Sequence, residues 1–303
     1  MISSLAVVIL NWRKEELTLS LVSQLKTWLV LKPTIVVVDN ESKQKSEKAL
    51  AKSLDPSELI SSRTNLGYAG GNNLGIERAL QGSAAFVLLL NNDAIVTESS
   101  ICELLNRFEQ NPDVAILGPV LKESHSGIDR FQIGGKDLLR NSLTRHIVAP
   151  DDFPSLPGYP LIDVEYVPGA VFLARRSVFE KIGLLDERFF FSGEVADLCK
   201  RTLEGGDRVC IDLEVGALHI TDNTLSSRRD TLYVYYSLRN RLLYAKKHYS
   251  SQPIKNFVLW LKLCCFELGK ALARARIRKA HAILLAIVHG CVNRYGNQND
   301  AFL

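Results

Sequence analysis

The chain has 303 residues, of which 47% are hydrophobic, and its formal net charge is only +4. This composition is sufficient for one large domain or two small ones, and it excludes a chain that is disordered throughout. Nucleic-acid binding is not expected, because the basic residues cluster in the last quarter of the chain, away from the expected ligand site, and no recognised module appears.

The first 120 residues alternate between apolar runs typical of buried strands and amphipathic segments typical of helices. Strands are expected at 5–10, 34–38, 59–61, 86–90 and 114–117, with helices at 15–29, 43–52, 71–80 and 98–110. This order predicts an α/β fold in which helices cover both faces of a mostly parallel sheet.

The pattern is weaker between residues 122 and 164, where Gly, Asp, Ser and Pro predict long loops or an irregular hairpin. Order returns with an expected strand at 166–174, a helix near Ser192 to Glu194, a strand at 208–211 and helices from residue 225 onward. We therefore expect one domain over residues 1–222 and a helical region over residues 223–303.

Polar residues follow three of the expected strands at their carboxyl ends, namely Asn11, Asp39 and the run Asn91-Asn92-Asp93. Ligands of such sheets lie outside these strand ends. A carboxylate there, such as Asp93, suits Mg²⁺ or Mn²⁺ bridging two phosphates. The alternative is that Asn-Asn-Asp simply forms an Asx turn.

A glycine-rich loop runs from Asn65 to Asn72 and leads into a helix. Glycines at 67, 70 and 71 let backbone approach a ligand, and a helix start favours anions. The loop has neither the Gly-Lys-Ser/Thr of a P-loop nor the G-x-G-x-x-G of a dinucleotide fold. Asp39, on the neighbouring strand, could accept hydrogen bonds from a base or a ribose.

Together these motifs resemble a family 2 glycosyltransferase of the rhamnosyltransferase-like branch that serves bacterial polysaccharide assembly. The similarity extends in order from about residue 5 to about residue 245. The matching runs are Val8-Ile9-Leu10-Asn11-Trp12, Val37-Val38-Asp39-Asn40-Glu41-Ser42, Asn65 to Asn72, Leu89-Leu90-Asn91-Asn92-Asp93, Pro168-Gly169-Ala170, Gly183 to Phe190, Asp197-Leu198-Cys199-Lys200-Arg201, His219 and Tyr235 to Arg241.

The resemblance implies a GT-A fold, a nucleoside-diphosphate sugar donor, a divalent metal (Mg²⁺ or Mn²⁺) and inversion at the anomeric carbon. Asp93 corresponds to the last acid of the metal-binding element, and His219 to a histidine that can face the metal or the diphosphate. A structural role for His219 is the alternative. The expected nucleotide-sugar site comprises Asn11, Asp39, Asn65, Gly67, Gly71, Asn72, Asn92, Asp93 and Arg239.

The chain departs from the family at the catalytic base. Relatives carry an Asp directly after a Glu, whereas this chain has Val195 after Glu194. Glu194 and Asp197 remain as possible bases, because a three-residue spacing puts both on one face of a helix. In the first turn the helix dipole favours an ionised Glu194. Alternatively, both acids only stabilise the start of the helix.

Basic residues are concentrated in the last quarter of the chain. Arg239 could hold phosphate of the donor or of a lipid-linked acceptor, or it could lie on a solvated basic face. With the resemblance, this charge suits a glycan or polyprenyl-diphosphate acceptor at a membrane. A segment around Trp260, Leu261, Leu263, Phe266 and Leu268 predicts either a membrane-surface helix or a packed helical hairpin.

Targeting signals are not evident in the sequence. The six cysteines form no CxxC pair, no signal-peptide pattern precedes the first strand, and no segment has the roughly 18 to 20 apolar residues of a membrane span. We expect reduced, mostly buried thiols in a cytoplasmic protein that could bind the inner face of the membrane.

The expected function is sugar transfer from a nucleoside-diphosphate sugar to a glycan or lipid-linked acceptor in cell-surface polysaccharide assembly. Val195 motivates an alternative, a catalytically impaired sugar-nucleotide-binding or scaffold protein. A nucleotidyltransferase would also use carboxylates at strand ends. It would, however, more naturally have a basic, glycine-rich loop after the first strand, and residues 11–15 contain no glycine.

Overall fold

The computed structural model describes residues 4–41, 44–125, 128–136, 147–148, 160–220 and 227–302. Its strands are β1 (Leu5–Asn11), β2 (Thr34–Asn40), β3 (Leu59–Ser62), β4 (Phe86–Asn91), β5 (Ala94–Ile95), β6 (Val114–His125), β7 (Ile128–Gln132), β8 (Ile147–Val148), β9 (Leu161–Asp163), β10 (Val171–Arg175) and β11 (Arg208–His219). Its α-helices are α1 (Glu15–Lys26), α2 (Gln44–Ser53), α3 (Gly67–Gln81), α4 (Glu98–Gln110), α5 (Arg176–Lys181), α6 (Glu194–Glu204), α7 (Ser227–His248), α8 (Pro253–Ala273) and α9 (Ile277–Cys291).

These strands form one sheet, in which eight follow the order β3-β2-β1-β4-β10-β6-β11-β5, while β7 pairs with β6 and β8, and β9 pairs with β11. Strands β3, β2, β1 and β4 are parallel, and β6 is parallel to β11. Strand β10 lies between these two groups and is antiparallel to both of its neighbours. The expected α/β class with a mostly parallel sheet is confirmed.

Apolar side chains are buried on both faces of the sheet. One cluster joins alternate residues of β1, such as Val7 and Ile9, to buried residues of α1 and α4. A second cluster joins the other face, including Val8, to α3, α5 and α6. Successive strand residues point to opposite faces, so a strand buried on both sides reads as a continuous apolar run.

Several element boundaries differ from the sequence prediction. Helix α3 begins at Gly67, inside the glycine-rich loop, rather than after it. Strands β6 and β11 continue well past the expected 114–117 and 208–211 because they pair with each other over most of their length. Most of the expected irregular region lies outside the described residues, although β6 and β7 form a hairpin at its start.

The C-terminal helices α7, α8 and α9 share a third apolar cluster. Trp260 is fully buried there, and its indole Nε1 donates to the carbonyl of Leu238 at 2.7 Å. Trp260 is therefore a core residue, as the alternative of a packed helical hairpin predicts. Within the described ranges, no helix combines the length and apolar character of a membrane span.

The six cysteines are free thiols, but they are less buried than expected. Cys199, Cys210 and Cys264 are buried, whereas Cys265 on α8 and Cys291 at the end of α9 are exposed. The expectation of mostly buried thiols is therefore correct for only part of the set.

Candidate active site

Parallel pairing brings the polar strand ends to one edge of the sheet. Asn11 pairs in register with Asp39, and the adjacent Leu10 pairs with Asn91. The Asn11 amide Nδ2 donates to Asp39 Oδ1 at 2.9 Å, and both side chains are buried. Asp39 is thus held in a fixed orientation at the end of β2.

Thr18 on α1 connects this pair to the end of β4. Its hydroxyl lies 2.8 Å from Asn11 Oδ1 and accepts a hydrogen bond from Asn92 Nδ2 at 2.9 Å. A continuous set of polar contacts therefore joins Asp39, Asn11, Thr18 and Asn92. Thr18 was not predicted from the sequence as a site residue, although this threonine is the polar member of the buried face of α1.

Asp93 lies beside His219, which the sequence analysis also expected near the metal. The imidazole Nε2 is 3.3 Å from Asp93 Oδ1, and Nδ1 is 2.7 Å from Glu123 Oε1. Sheet pairing sets this arrangement, because His219 lies in register with both Ala94 and Glu123. No sequence pattern singled out Glu123.

These three groups interact electrostatically. Burial disfavours the charged imidazole, but the close carboxylates of Asp93 and Glu123 raise the pKa of His219 to about 9. Burial likewise opposes ionisation of both carboxylates, yet the His219 side chain lowers the pKa of each below its ordinary value. The cluster is therefore charged at neutral pH.

One carboxylate oxygen of Asp93 is available to bind a ligand. Its Oδ1 is buried, lies 3.3 Å from the imidazole Nε2, and accepts no hydrogen bond from the residues that the structure describes. Lys14 Nζ approaches the other oxygen at 3.7 Å. No three Asp, Glu, His or Cys side chains in the described segments are gathered to hold a metal alone. Asp93, together with His219 once its Nε2 has released its proton, instead fits a cation that takes its remaining ligands from phosphate oxygens.

The glycine-rich loop is built mainly by internal contacts. Gly67 has a φ of +72° and lies against the Phe190 carbonyl, which leaves no room for a side chain. A β-carbon on Gly71 would overlap Leu10, so this glycine allows α3 to approach β1 closely. In the structure both glycines serve packing, which is a different role from the expected contact with a ligand.

The two loop asparagines are also engaged by protein groups. Asn65 Oδ1 accepts from the Gly67 backbone N–H at 2.8 Å, and Asn72 Nδ2 donates to the Tyr68 carbonyl at 2.8 Å. Asn40, next to Asp39, donates to the Gly67 carbonyl at 2.9 Å. The loop is therefore joined to the end of β2, near the expected nucleotide site.

Glu194 begins helix α6 and is buried, and no described residue forms a hydrogen bond with its Oε2. The pKa of Glu194 is raised to about 7, mainly by burial. The negative charge of Asp197 also raises this pKa, whereas a hydrogen bond from the backbone of Glu194 itself lowers it. A buried carboxylate that has one oxygen without a partner and a pKa near neutrality is suited to general-base chemistry.

Asp197 is already paired with Lys247, His248 and Arg201, which argues against its expected role as the base. Its Oδ1 lies 2.8 Å from both Lys247 Nζ and His248 Nε2, while Arg201 Nε donates to Oδ2 at 2.9 Å. These contacts outweigh burial and keep the pKa of Asp197 below its ordinary value. The side chain anchors α6 to the end of α7.

Arg239 is fully buried and contacts protein groups, which argues against its expected role as a phosphate ligand. Its guanidinium donates to the Phe189 carbonyl at 3.1 Å and to the Asn240 side chain at 2.8 and 2.9 Å. The Asn240 amide in turn donates to the carbonyls of Phe189, Phe191 and Ser192 at 2.7 to 2.9 Å. We call Arg239 and Asn240 the α7 clamp.

The α7 clamp holds a strained segment directly before Glu194. Phe190 and Ser192 have φ values of 63° and 71°, and Gly193 has a φ of 103°. Non-glycine residues rarely adopt this region and keep it only where surrounding contacts enforce it. The clamp therefore determines where the first turn of α6 lies.

Contacts through the Gly169–Ala170 turn connect α6 to the Asp93 edge. The Asn91 N–H donates to the Ala170 carbonyl, and the Tyr68 hydroxyl donates to the Gly169 carbonyl. Val195 also lies close to Gly169. The start of helix α6 and the metal-binding candidates therefore both lie beside the Gly169–Ala170 turn.

Comparison with known families gives one match that covers more than half of the chain. A family model described as "Glycosyl transferase family 2" matches residues 6–183. The matched region contains the ends of β1, β2 and β4 but stops before Glu194.

Curated relatives include the low-salt glycan biosynthesis hexosyltransferase Agl10 of Haloferax volcanii, 28% identical over 98% of this chain and 94% of the relative. The galactofuranosyltransferase GlfT1 of Mycolicibacterium smegmatis is 28% identical over 66% of this chain and 65% of the relative. An N-acetylglucosaminyl-diphospho-decaprenol L-rhamnosyltransferase of Mycobacterium tuberculosis is 25% identical over 57% of this chain and 62% of the relative.

Two solved structures share the fold at low sequence identity. The mannosyltransferase PcManGT of Pyrobaculum calidifontis, in complex with GDP-Man and Mn²⁺, has a TM-score of 0.57 and 12% identity over 97% of this chain and 88% of its own. GalNAc-T7, with UDP, GalNAc and Mn²⁺, has a TM-score of 0.56 and 14% identity over 80% of this chain and 51% of its own. The sheet and its helices therefore form a GT-A fold, as expected.

Proposed function

Since this chain belongs to glycosyl transferase family 2 and is a glycosyltransferase of glycan biosynthesis, we propose that it transfers a hexose or deoxyhexose from a nucleoside-diphosphate sugar, with inversion. The observation that carries the proposal is the buried, unpartnered oxygen of Asp93 beside His219 at the edge of the sheet. This edge lies where α/β sheets bind nucleotides.

In this proposal the nucleotide lies over the ends of β1 and β2. Asp39, held by Asn11, accepts hydrogen bonds from the base or the ribose. Asp93 and His219 would hold Mg²⁺ or Mn²⁺, which would neutralise charge on the diphosphate. Lys14, whose ammonium is near Asp93, adds a second positive group on the same side. Asn92 keeps this turn aligned with Thr18.

Glu194 acts as the base in a single displacement. Its Oε2 takes the proton of an acceptor hydroxyl while the hydroxyl oxygen attacks the anomeric carbon. The bond from that carbon to the diphosphate oxygen breaks, and the electron pair leaves with the nucleoside diphosphate. Attack from the face opposite the leaving group inverts the anomeric configuration. Glu194 is chosen over Asp197 because only Glu194 has an oxygen without a partner.

The acceptor in this proposal is a glycan or a polyprenyl-diphosphate-linked sugar used in cell-surface polysaccharide assembly, reached from the cytoplasmic side of the membrane. The name of the mycobacterial relative includes a decaprenol-linked acceptor, which supports this choice. We assign the donor site to residues 1–222, while the helical region 223–303 supplies the α7 clamp.

A second candidate, motivated by Val195 at the family's usual base position, is a protein that binds the sugar nucleotide without transferring it. A donor-turnover assay with Mn²⁺ separates the two. An active transferase releases free nucleoside diphosphate in proportion to glycosylated acceptor, and Glu194→Gln reduces both. A protein that binds the donor yet releases no diphosphate with any acceptor tested would support the binding-only role.

A further inference from the structure

Helices α8 and α9 carry an unusual share of the exposed apolar surface. Sixteen large apolar side chains are well exposed in the described part of the chain, and nine of them lie on or next to these two helices. They are Ile254, Phe257, Val258, Phe266, Leu272, Ile277, Leu284, Val288 and Val292. Exposed apolar residues concentrated in this way mark an interaction surface.

Helix α9 is apolar on both sides. Ala282, Ile283 and Ala286 face the C-terminal core, as in an ordinary amphipathic helix. Ile277, Leu284 and Val288 follow one another at spacings of seven and four residues, which places them on one side of the helix. Their exposed fractions are 67%, 49% and 55%, so this second apolar side faces solvent.

The same region is strongly basic. From Leu268 to Asn299 the sequence contains no acidic residue, although it contains six lysines and arginines. Arg274 and Arg276 lie in the turn between α8 and α9, where both are exposed. Lys255 and Lys262 add exposed cations along α8. The surface therefore combines apolar side chains with positive charge.

This charge discriminates between the partners that could cover the surface. A second copy of the chain docking through the same face would bring two sets of cations together, and such like-charge contacts oppose association. A membrane with anionic headgroups offers an apolar interior and negative charge together, which matches both properties.

We propose that the α8–α9 face, defined by Ile277, Leu284, Val288, Arg274 and Arg276, binds an anionic lipid bilayer. The apolar side chains enter the boundary between headgroups and acyl chains, while the two arginines contact the headgroups. Binding through this face would hold the protein at a membrane surface without a spanning segment. The inference does not depend on the transfer reaction.

Vesicle flotation tests this directly, with the full chain and two kinds of vesicle: phosphatidylcholine alone, and phosphatidylcholine mixed with phosphatidylglycerol. Wild-type protein is expected to float with the anionic vesicles and to be released by salt. Leu284→Glu/Val288→Glu should weaken partitioning at least tenfold. Arg274→Gln/Arg276→Gln should weaken it about fivefold for each cation lost.

Matched controls come from exposed positions elsewhere. Leu29→Glu/Val30→Glu changes two apolar side chains that are 81% and 54% exposed, and Lys48→Gln/Lys52→Gln removes two exposed cations from α2. Both controls should float like wild type. Circular dichroism checks folding, and if the glutamate pair unfolds, Leu284→Ser/Val288→Ser replaces it.

Three results would overturn the proposal. One is wild-type protein that stays unbound in the presence of anionic vesicles. A second is an equal loss of vesicle binding in the test variants and the control variants, which would show that this face has no special role in binding. A third is a dimer in sedimentation velocity that Leu284→Glu/Val288→Glu dissociates, since the occupant would then be a second copy. Sugar-nucleotide binding, measured in parallel without lipid, reports separately on the proposed function.

Discussion

His219 Nε2 lies 3.3 Å from Asp93 Oδ1, a buried oxygen that accepts no hydrogen bond within the described part of the chain. The two residues are far apart in sequence and meet because β11 pairs with β5 directly after the Asn91-Asn92-Asp93 turn. Glu123 lies on the opposite side of the imidazole at 2.7 Å. A carboxylate behind a metal-binding histidine fixes the ring and its tautomer.

Glu123→Ala should therefore weaken Mn²⁺ binding about 10- to 100-fold, as is typical when the partner of a metal-binding histidine is lost. Glu123→Gln should lose less Mn²⁺ affinity, because the side-chain carbonyl oxygen of the glutamine can still accept a hydrogen bond from His219 Nδ1. Electron paramagnetic resonance of Mn²⁺ with nucleoside diphosphate measures this without turnover. Equal, wild-type affinity in both variants would show that Glu123 does not position His219.

The transfer rate should depend on ionisation of Glu194. With a pKa of about 7, this carboxylate is largely protonated at pH 6 and largely ionised at pH 8, so the rate should rise with pH through about 7. Glu194→Gln should lower kcat by roughly 10²- to 10⁴-fold and remove this limb of the profile. An unchanged pH profile in Glu194→Gln would assign the base elsewhere.

The same carboxylate should affect stability with a predictable sign. Burial raises its pKa in the folded protein from an ordinary value of 4.5 to about 7. Between these values the unfolded chain loses the proton first, so stability falls as pH rises through this window and stays lower above it. The full loss is about 3 kcal/mol.

Glu194→Gln should remove that pH-dependent loss, which urea unfolding at pH 4 and pH 8 would measure. Relative to wild type, the variant should gain stability on going from pH 4 to pH 8. Glu109→Gln, an exposed residue of α4, serves as the control and should follow the wild-type curve. A constant difference between Glu194→Gln and wild type at both pH values would contradict the raised pKa.

Asn240→Ala should disturb the start of α6 more than the donor site. The variant loses hydrogen bonds to the carbonyls of Phe189, Phe191 and Ser192, which should cost roughly 1–3 kcal/mol of stability. It should lower kcat through displacement of Glu194, while the donor Kd stays near the wild-type value. A change in donor Kd with unchanged kcat would contradict this positioning role.

The sequence predicted those parts of the fold and site that local patterns encode. Apolar runs ending in Asn11, Asp39 and Asn91-Asn92-Asp93 located three neighbouring strand ends, because a strand buried on both faces is a continuous apolar stretch. The resemblance added the family and the GT-A fold, and both are confirmed by the comparisons.

What the sequence could not predict depends on tertiary contacts. Arg239 and Asp197 looked available for chemistry, yet their partners come from other elements and occupy them fully. Conversely, Thr18 and Glu123 reach the site only through helix packing and strand register. The unpartnered state of Glu194 Oε2 is likewise a property of the folded environment, which a residue pattern does not record.

Donor binding with and without a cation tests the central claim most directly. Isothermal titration of a panel of nucleoside-diphosphate sugars should find at least one that binds the wild type at least tenfold more tightly with Mn²⁺ than with chelator. Asp93→Asn should abolish this gain and remain folded, while Glu109→Gln should keep it. If no sugar nucleotide shows cation-dependent affinity, or if Asp93→Asn keeps the full gain, the proposed site at the edge of the sheet is wrong.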